Sequence, residues 1–537
     1  MIFPLLITSV VIIACILTNK ITSRAGMPAL LAFIVLGMFF GSDGVMKIPF
    51  ENFAFAEQIC SVALIFIMFY GGFGTKWKAA KPVAAQAVLL STAGVVLTAG
   101  LTGLFGYAVL KMNLLESLLL GAVLGSTDAA SVFSILRSRN LNLKYNTASL
   151  LELESGSNDP CAYMMTVILL SLIQGNRAGG SVVYMVFAQV FFGVLFGVAI
   201  AFAAVWFMKH VHFVTEGFDA AFVIAVALLS YAAPQALGGN GYLSAYLVGI
   251  ILGNQTIHNK KSLVNFFDGI TSLLQMLIFF LLGLLSFPSK MPSVFLPAAA
   301  IALFLTFVGR PLVTWLILTP FRAAVPQQLI VSWAGLRGAA SIVFAVMVTV
   351  SGAKLEHDLF HMVFCVVLFS IGVQGSLLPW LSRKLDMIDA EGSVMKTFND
   401  YNEEKEIQFI QLEMKEGHPW IGKEVKCVEL PPDTLLVMIL RGKQTLVPKG
   451  NTQLELDDTV VLSANAYEDE STICLMEITI DKSHEWCDCI VSELELPEDT
   501  LIMMIRRGGQ ALIPGGMTEI LEGDVVVVNE NKSAGAV

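Results

Sequence analysis

Within Leu151-Glu-Leu-Glu-Ser-Gly-Ser-Asn-Asp-Pro160, three carboxylates interrupt an apolar run that resumes at Ala162 and continues to Ile173. Glu154 and Asp159 therefore fall near the middle of a segment long enough to cross a membrane. A charge at that depth costs roughly 2.5–3.5 kcal/mol, so such residues are retained mainly where they are used. On a helix, Ser155 and Asp159 share one face, as do Glu154 and Asn158. Pro160 lacks an N–H and disfavours helical geometry at Asp159, which leaves the Gly156 carbonyl without its usual partner. A carboxylate, a hydroxyl, an amide and a carbonyl at one depth are hard oxygen ligands for a small cation. Desolvation favours the neutral carboxyl and an adjacent cation favours the ionised one, so a proton and a metal ion compete for the same group.

The elements that must hold these residues are membrane spans. The chain is 55% hydrophobic and 14% charged over 537 residues, far more apolar than a soluble enzyme. Residues 1–385 carry 21 Lys+Arg against 13 Asp+Glu, and residues 386–537 carry 12 against 30. This break separates a membrane domain from an acidic, water-soluble tail, and the acidic tail argues against nucleic acid as a partner. The eight cysteines are scattered and suggest no disulfide framework. His484, Cys487 and Cys489 match no standard zinc spacing, so no cofactor, no resident metal and no enzymatic constellation is expected. Residues 2–18 read as a retained first span, without a basic n-region or a cleavage site.

Apolar runs at roughly 2–18, 28–41, 54–73, 82–110, 114–137, 147–174, 181–208, 217–235, 242–256, 263–287, 292–319, 326–351 and 358–382 predict about thirteen spans. With the N-terminus outside, fourteen basic residues fall at inner loops and the tail junction against five at outer loops, which places the tail in the cytoplasm. Two spans are interrupted at mid-depth, at Gly121-Ala-Val-Leu-Gly-Ser-Thr-Asp-Ala-Ala130 and Trp333-Ala-Gly-Leu-Arg-Gly-Ala-Ala-Ser341. Small residues alone would fit close helix packing. Asp128 in one break and Arg337 in the other favour unwound backbone lining an ion cavity, the paired interruptions of an inverted-repeat transporter.

At Gly125-Ser-Thr-Asp128, Glu154-Ser-Gly-Ser-Asn-Asp159 and Gly335-Leu-Arg-Gly338 the chain resembles the bacterial monovalent cation:proton antiporters of the NhaP type. More narrowly, it resembles the potassium/proton antiporters of the cell volume regulation protein A group. The resemblance implies a polytopic α-helical fold with two broken, crossing helices and a homodimeric assembly in the bacterial inner membrane. It makes Asp159 the carboxylate that alternately holds cation and proton, helped by Ser155 and the Thr127 backbone, with Asp128 beside the crossing. It pairs Glu154 with Arg337. Asn158 stands where some relatives carry a second aspartate, which implies one proton per cation and an electroneutral exchange. Arg310 is expected to serve as a structural counter-ion. The alternative for Glu154 and Asp159 is that both only form ion pairs with Arg310 and Arg337. His357 and His361, four apart beside an outer loop, could sense pH, but a solvated helix end is the simpler reading.

The tail repeats itself at an offset of 66 residues: Glu429-Leu-Pro-Pro-Asp-Thr-Leu435 with Glu495-Leu-Pro-Glu-Asp-Thr-Leu501, Arg441 with Arg507, and Asp458 with Asp524. Each unit reads as strand, short helix and further strands joined by turns. The expected domains are 1–385 for exchange, a linker at 386–404, and small α+β units at 405–470 and 471–537. Both units resemble the TrkA-C subdomain of potassium-conductance regulators, the second being the more diverged. That resemblance implies pairing and, in some antiporters, binding of a small nucleotide such as cyclic di-AMP. Arg441 and Arg507 are then the anion contacts, unless they are turn surface. No Gly-rich dinucleotide loop precedes either unit.

The function expected is therefore exchange of K+ for H+, with Na+ as the runner-up. A gated K+ channel would need a carbonyl filter loop of the Thr-Val-Gly-Tyr-Gly kind, and none is present. A sensor whose spans merely anchor the tail would leave the intramembrane charges unexplained.

Overall fold

The structure is a computed structural model describing residues 2–25, 29–138, 141–175, 182–211, 217–255, 257, 260–389, 407–415, 418–428, 430, 434–442, 444–465, 475–482, 484–494, 496, 500–507, 510–512 and 514–530. It divides into two units, Met1–Asn402 and Glu403–Val537. Most of the linker, and much of the Glu429–Asp433 and Glu495–Asp499 repeat, lies outside the described residues.

The first unit is helical: α1 (Ile2–Ala25), α2 (Ala29–Phe40), α3 (Phe53–Gly74), α4 (Lys81–Ala108), α5 (Leu114–Val123), α6 (Ala129–Ser138), α7 (Thr147–Ile173), α8 (Val182–His210), α9 (Phe218–Gln235), α10 (Gly241–Gly253), α11 (Lys260–Leu285), α12 (Pro288–Phe321), α13 (Val325–Trp333), α14 (Ala339–Val350) and α15 (Leu359–Lys384). Seven of these are long and apolar enough among the described residues to cross a membrane: α3, α4, α8, α9, α11, α12 and α15. The other expected spans are short (α2, α10), split in two (α5–α6, α13–α14), loaded with acids (α7) or, for α1, apolar over Ser9–Thr18 among the described residues. Asn52, Asn113, Asn240 and Asp358 cap the helices they precede, each side chain accepting a backbone N–H of the first turn.

Two helical groups result. Helices α1–α3 and α8–α11 pack together, and α4–α7 pack with α12–α15. Lipid provides no hydrophobic drive between helices, so cohesion rests on close packing. At the α2–α11 crossing, an added Cβ on Gly37 would stand 2.2 Å from the Phe280 carbonyl, and one on Gly283 would stand 2.2 Å from the Ile34 carbonyl. Only glycine permits that approach. Within the second group, α4, α12 and α15 each contain one π-helical turn, at Leu90–Gly94, Leu305–Gly309 and Ser370–Gly375. Such wide turns recur at functional sites, and here two of them adjoin the buried arginines.

The second unit holds two four-stranded antiparallel sheets. Strands β1 (Ile407–Glu413), β2 (Leu435–Arg441), β3 (Gln444–Leu446) and β4 (Thr459–Asn465) run in the order β1-β4-β2-β3. Strands β5 (Leu475–Thr479), β6 (Thr500–Arg507), β7 (Gln510–Leu512) and β8 (Val525–Glu530) repeat it as β5-β8-β6-β7. The β2–β4 register shifts between Leu436 and Met438, and the β6–β8 register between Ile502 and Met504. Met414, Leu436, Ile439, Leu454, Val460 and Leu462 form the first core. Ile480, Ile502, Ile505, Ile520, Val526 and Val528 form the second, position for position 66 residues later. The second copy has diverged in identity while keeping every core position.

Candidate functional site

The site lies where the two interrupted helices cross. Helix α5 ends at Val123, and residues 126–128 are non-helical before α6 begins; α13 ends at Trp333, and residues 335–338 are non-helical before α14 begins. The Asp128 N–H donates to the Leu336 carbonyl at 2.8 Å, which ties one non-helical segment to the other. Asp128 also caps α6: its carboxylate accepts the Ser131 N–H at 3.2 Å and the Ser131 hydroxyl at 2.5 Å. At Gly338 an added Cβ would lie 2.2 Å from Asp128 Oδ2, so the two segments cross without room for any side chain there.

Helix α7 passes beside this crossing and runs on through Pro160. Asp159, 5% exposed, accepts a hydrogen bond from the Ser126 hydroxyl. Ser155 donates to the Thr127 carbonyl at 2.6 Å, and Asn158 Nδ2 donates to the Thr127 hydroxyl at 2.5 Å. The buried Asn158 Oδ1 accepts no hydrogen bond from the described residues. The sequence-predicted residues Asp159, Ser155, Asn158, Asp128 and Thr127 thus come together. The carbonyl among them is that of Thr127, contributed by the other helix rather than by Gly156.

Two expectations need correction. Glu154 forms its ion pair with Arg310, not with Arg337. Arg337 instead donates to the Leu124 and Ser126 carbonyls, which lost their helical partners when the chain unwound, the second contact measuring 3.0 Å. Helix order explains this: the π-helical turn at Leu305–Gly309 delivers Arg310 to α7, while Arg337 lies inside the crossing. The Arg337 N–H donates to the Ser370 hydroxyl at 2.9 Å, which in turn donates to Gln374 at 2.6 Å, both within the π-helical turn of α15. Of the two histidines, His357 is exposed as expected, but His361 is unlike a solvated helix end. His361 is 3% exposed, its Nδ1 lies 2.7 Å from Asp358, and its Nε2 accepts the Phe287 N–H at 3.1 Å. Burial works against Asp358 ionising, but hydrogen bonds from the His361 side chain and backbone hold its carboxyl below the usual range.

A cavity of about 390 Å³ opens from this crossing between the two helical groups. That is far above the roughly 10–15 Å³ needed to seat one water. One wall carries Ser126, Thr127, Asp128, Ser155 and Asp159; the other carries Tyr70, Asp268, Thr271, Ser272 and Gln275 from α3 and α11. Glu152 lines it as well, accepting from the Thr75 hydroxyl at 3.3 Å, and Asp268 accepts from the Tyr70 hydroxyl at 3.2 Å. Ser126, which donates to Asp159, belongs with it to one helical group, and the facing wall belongs to the other.

Residues 8–384 match the family model described as sodium/hydrogen exchanger, transmembrane. The chain belongs to the sodium/hydrogen exchanger family. It is a cation:proton antiporter, and its residues 409–466 and 475–532 each match the TrkA-C domain. The K(+)/H(+) antiporter NhaP2 of Shewanella sp. (strain ANA-3) is 34% identical over 449 residues, 82% of this chain and 78% of that protein. The K(+)/H(+) antiporter NhaP of Alkalimonas amylolytica is 34% identical over 463 residues, covering 85% and 80%. The sodium proton antiporter MjNhaP1 of Methanocaldococcus jannaschii superposes with a TM-score of 0.63 at 23% identity, over 70% of this chain and 97% of that one, which establishes a shared fold.

In the tail of the exchanger, Arg441 is committed inside its own unit. It pairs with Asp458 at 2.8 Å and with Glu455, and donates to the Gln453 carbonyl at 2.8 Å. Arg507 repeats this with Asp524 at 2.7 Å and the Glu519 carbonyl at 2.6 Å. These guanidiniums brace the turn before the last strand, so they do not stand free as anion contacts.

Proposed function

We propose that the protein exchanges K+ for H+, one for one, with Asp159 as the shared binding group. The observation that carries this is the Asp159 carboxylate at the helix crossing, which faces the cavity with Ser126, Ser155 and the Thr127 carbonyl within reach. A cation bound there needs Asp159 ionised, and a proton bound there neutralises it, so the two occupy the site in turn. Asn158 supplies an oxygen without a second charge, and this supports electroneutral exchange. Asp128 is engaged as a helix cap and Glu154 is neutralised by Arg310, which leaves neither free to carry a second proton.

Alternating access follows from the division of the walls. All ligands travel with one helical group, and sliding that group past the other carries the site from one face to the other. The charge distribution of the loops supports an external N-terminus and a cytoplasmic tail in the inner membrane of a bacterium. The tail, with two TrkA-C units, fits a regulatory and dimer-forming role that responds to a small nucleotide of the cyclic di-AMP type. Potassium over sodium rests on the two relatives named K(+)/H(+) antiporters.

The decisive measurement uses purified protein in liposomes under an imposed pH gradient, with K+, Na+, Li+ and Rb+ in turn. Proton movement that depends on K+ and carries no net current is expected. A current scaling with turnover would overturn the one-for-one stoichiometry, and full activity in Asp159→Asn would overturn the role of the carboxylate.

A further inference from the structure

A second cluster of charged groups lies at the opposite end of the membrane unit from Lys144 and Asp386. Glu116 occupies the first turn of α5, and Glu356 and His357 occupy the connection between α14 and α15. One ligand atom from each of the three falls within 4.8 Å of the others. Glu116 is 3% exposed. Its Oε1 accepts the His357 N–H at 2.8 Å and lies 3.3 Å from His357 Nδ1. Its other oxygen accepts no hydrogen bond from the described residues, and the Glu356 carboxylate has neither an ion pair nor a hydrogen bond among them.

We propose that Glu116, Glu356 and His357 form a binding site for a divalent transition-metal ion of the zinc class. Two carboxylates converge here, neither in an ion pair with a lysine or arginine among the described residues, and one of them is buried. Their repulsion is relieved by a dication. The imidazole nitrogen selects against calcium and magnesium, which prefer oxygen alone, and towards Zn2+ and its neighbours. A nitrogen and an oxygen bound to tetrahedral zinc stand about 3.3 Å apart, the separation already present between Nδ1 and Oε1. Three protein ligands leave a fourth position for water. Bound there, the ion would link the start of the first interrupted helix to the segment that follows the second. This site stands independently of the exchange reaction at Asp159.

The test uses the full-length protein in detergent with Cys427→Ser, Cys474→Ser, Cys487→Ser and Cys489→Ser in place, which removes the tail thiols as competing ligands. Titration with ZnCl2 at pH 7.5 should show one saturable site, and Co2+ in its place should give the intense visible absorption of four-coordinate cobalt. Glu356→Gln, at an exposed position, and His357→Ala should each weaken binding at least tenfold and bleach that absorption. Glu116→Gln should do the same, and the two surface variants keep the test valid if it fails to fold. Unchanged affinity in Glu356→Gln and His357→Ala, or no saturable site in the parent, would overturn the proposal.

Discussion

Glu154 is neutralised by Arg310 from α12, while the guanidinium of Arg337 is spent on the Leu124 and Ser126 carbonyls. The two arginines therefore fail differently when removed. Arg310→Ala leaves a buried carboxylate uncompensated and should cost about 3–5 kcal/mol. The double variant Glu154→Gln/Arg310→Met removes both charges and should recover much of that loss. Thermal unfolding of the purified protein separates these outcomes, and equal destabilisation of the single and double variants would refute the pairing.

Asp268 faces Asp159 across the cavity but belongs to the other helical group. A carboxylate there concentrates cations near the site without binding them at the crossing. Asp268→Asn should raise the half-saturating K+ concentration severalfold at low ionic strength and leave the maximal rate unchanged. A lowered maximal rate with unchanged half-saturation would assign Asp268 to the transport step instead.

Gly338→Ala places a methyl carbon 2.2 Å from Asp128 Oδ2 unless the crossing shifts. The variant should fold, because the clash is local, yet transport should fall below a tenth of the parent rate. Full exchange in proteoliposomes would show that the crossing tolerates displacement.

In the tail, Asp458 and Asp524 are held below the usual carboxylate range. For Asp458, burial opposes ionisation, and the Arg441 hydrogen bond, the Glu455 N–H and the Arg441 charge together outweigh it; for Asp524, the Arg507 hydrogen bond is itself the leading cause. A depressed carboxyl stabilises the fold above its unfolded value, near pH 4, and that contribution is lost as pH falls through the folded value. Hydrogen-exchange protection of β4 and β8 should therefore hold at pH 6–8 and collapse below about pH 4. Asp458→Asn should abolish the acid dependence of β4 while lowering its protection at neutral pH. Protection that rises on acidification would contradict the sign.

Asp159 was legible in the sequence as a charge in an apolar run and Ser155 as its neighbour on one helix face, while Thr127 came only with the resemblance carried by Gly125-Ser-Thr-Asp128. The same rule applied to α11 would have found Asp268, an acid well inside an apolar span. The pairing of Glu154 was not legible. Spacing along one helix says which residues share a face, but the choice between Arg310 and Arg337 depends on which helix lies alongside, a matter of packing. Ser126 stood within a recognised motif, yet its hydroxyl could not be told from an ordinary small packing residue. Ser370 and Gln374 left one faint signal, an amide in an apolar stretch, and nothing in the pattern pointed to the Arg337 backbone. The tail was read more fully, since a 66-residue repeat carries its core with it, but the ion pairs of Arg441 and Arg507 needed the sheet to bring in Asp458 and Asp524 from 17 positions away.

The wide turn at Leu305–Gly309 makes the neutrality of the site a matter of counting. One extra residue per π-helical turn rotates everything after it by about 100° relative to a regular helix. Arg310 reaches Glu154 only because that residue is present. Deleting a single position from this stretch would swing the guanidinium toward lipid while leaving length, hydropathy and every motif almost untouched. Two chains of this kind can thus look alike by composition and differ in whether the charge behind the ion site is balanced, and an alignment gap of one in α12 is where that difference would show.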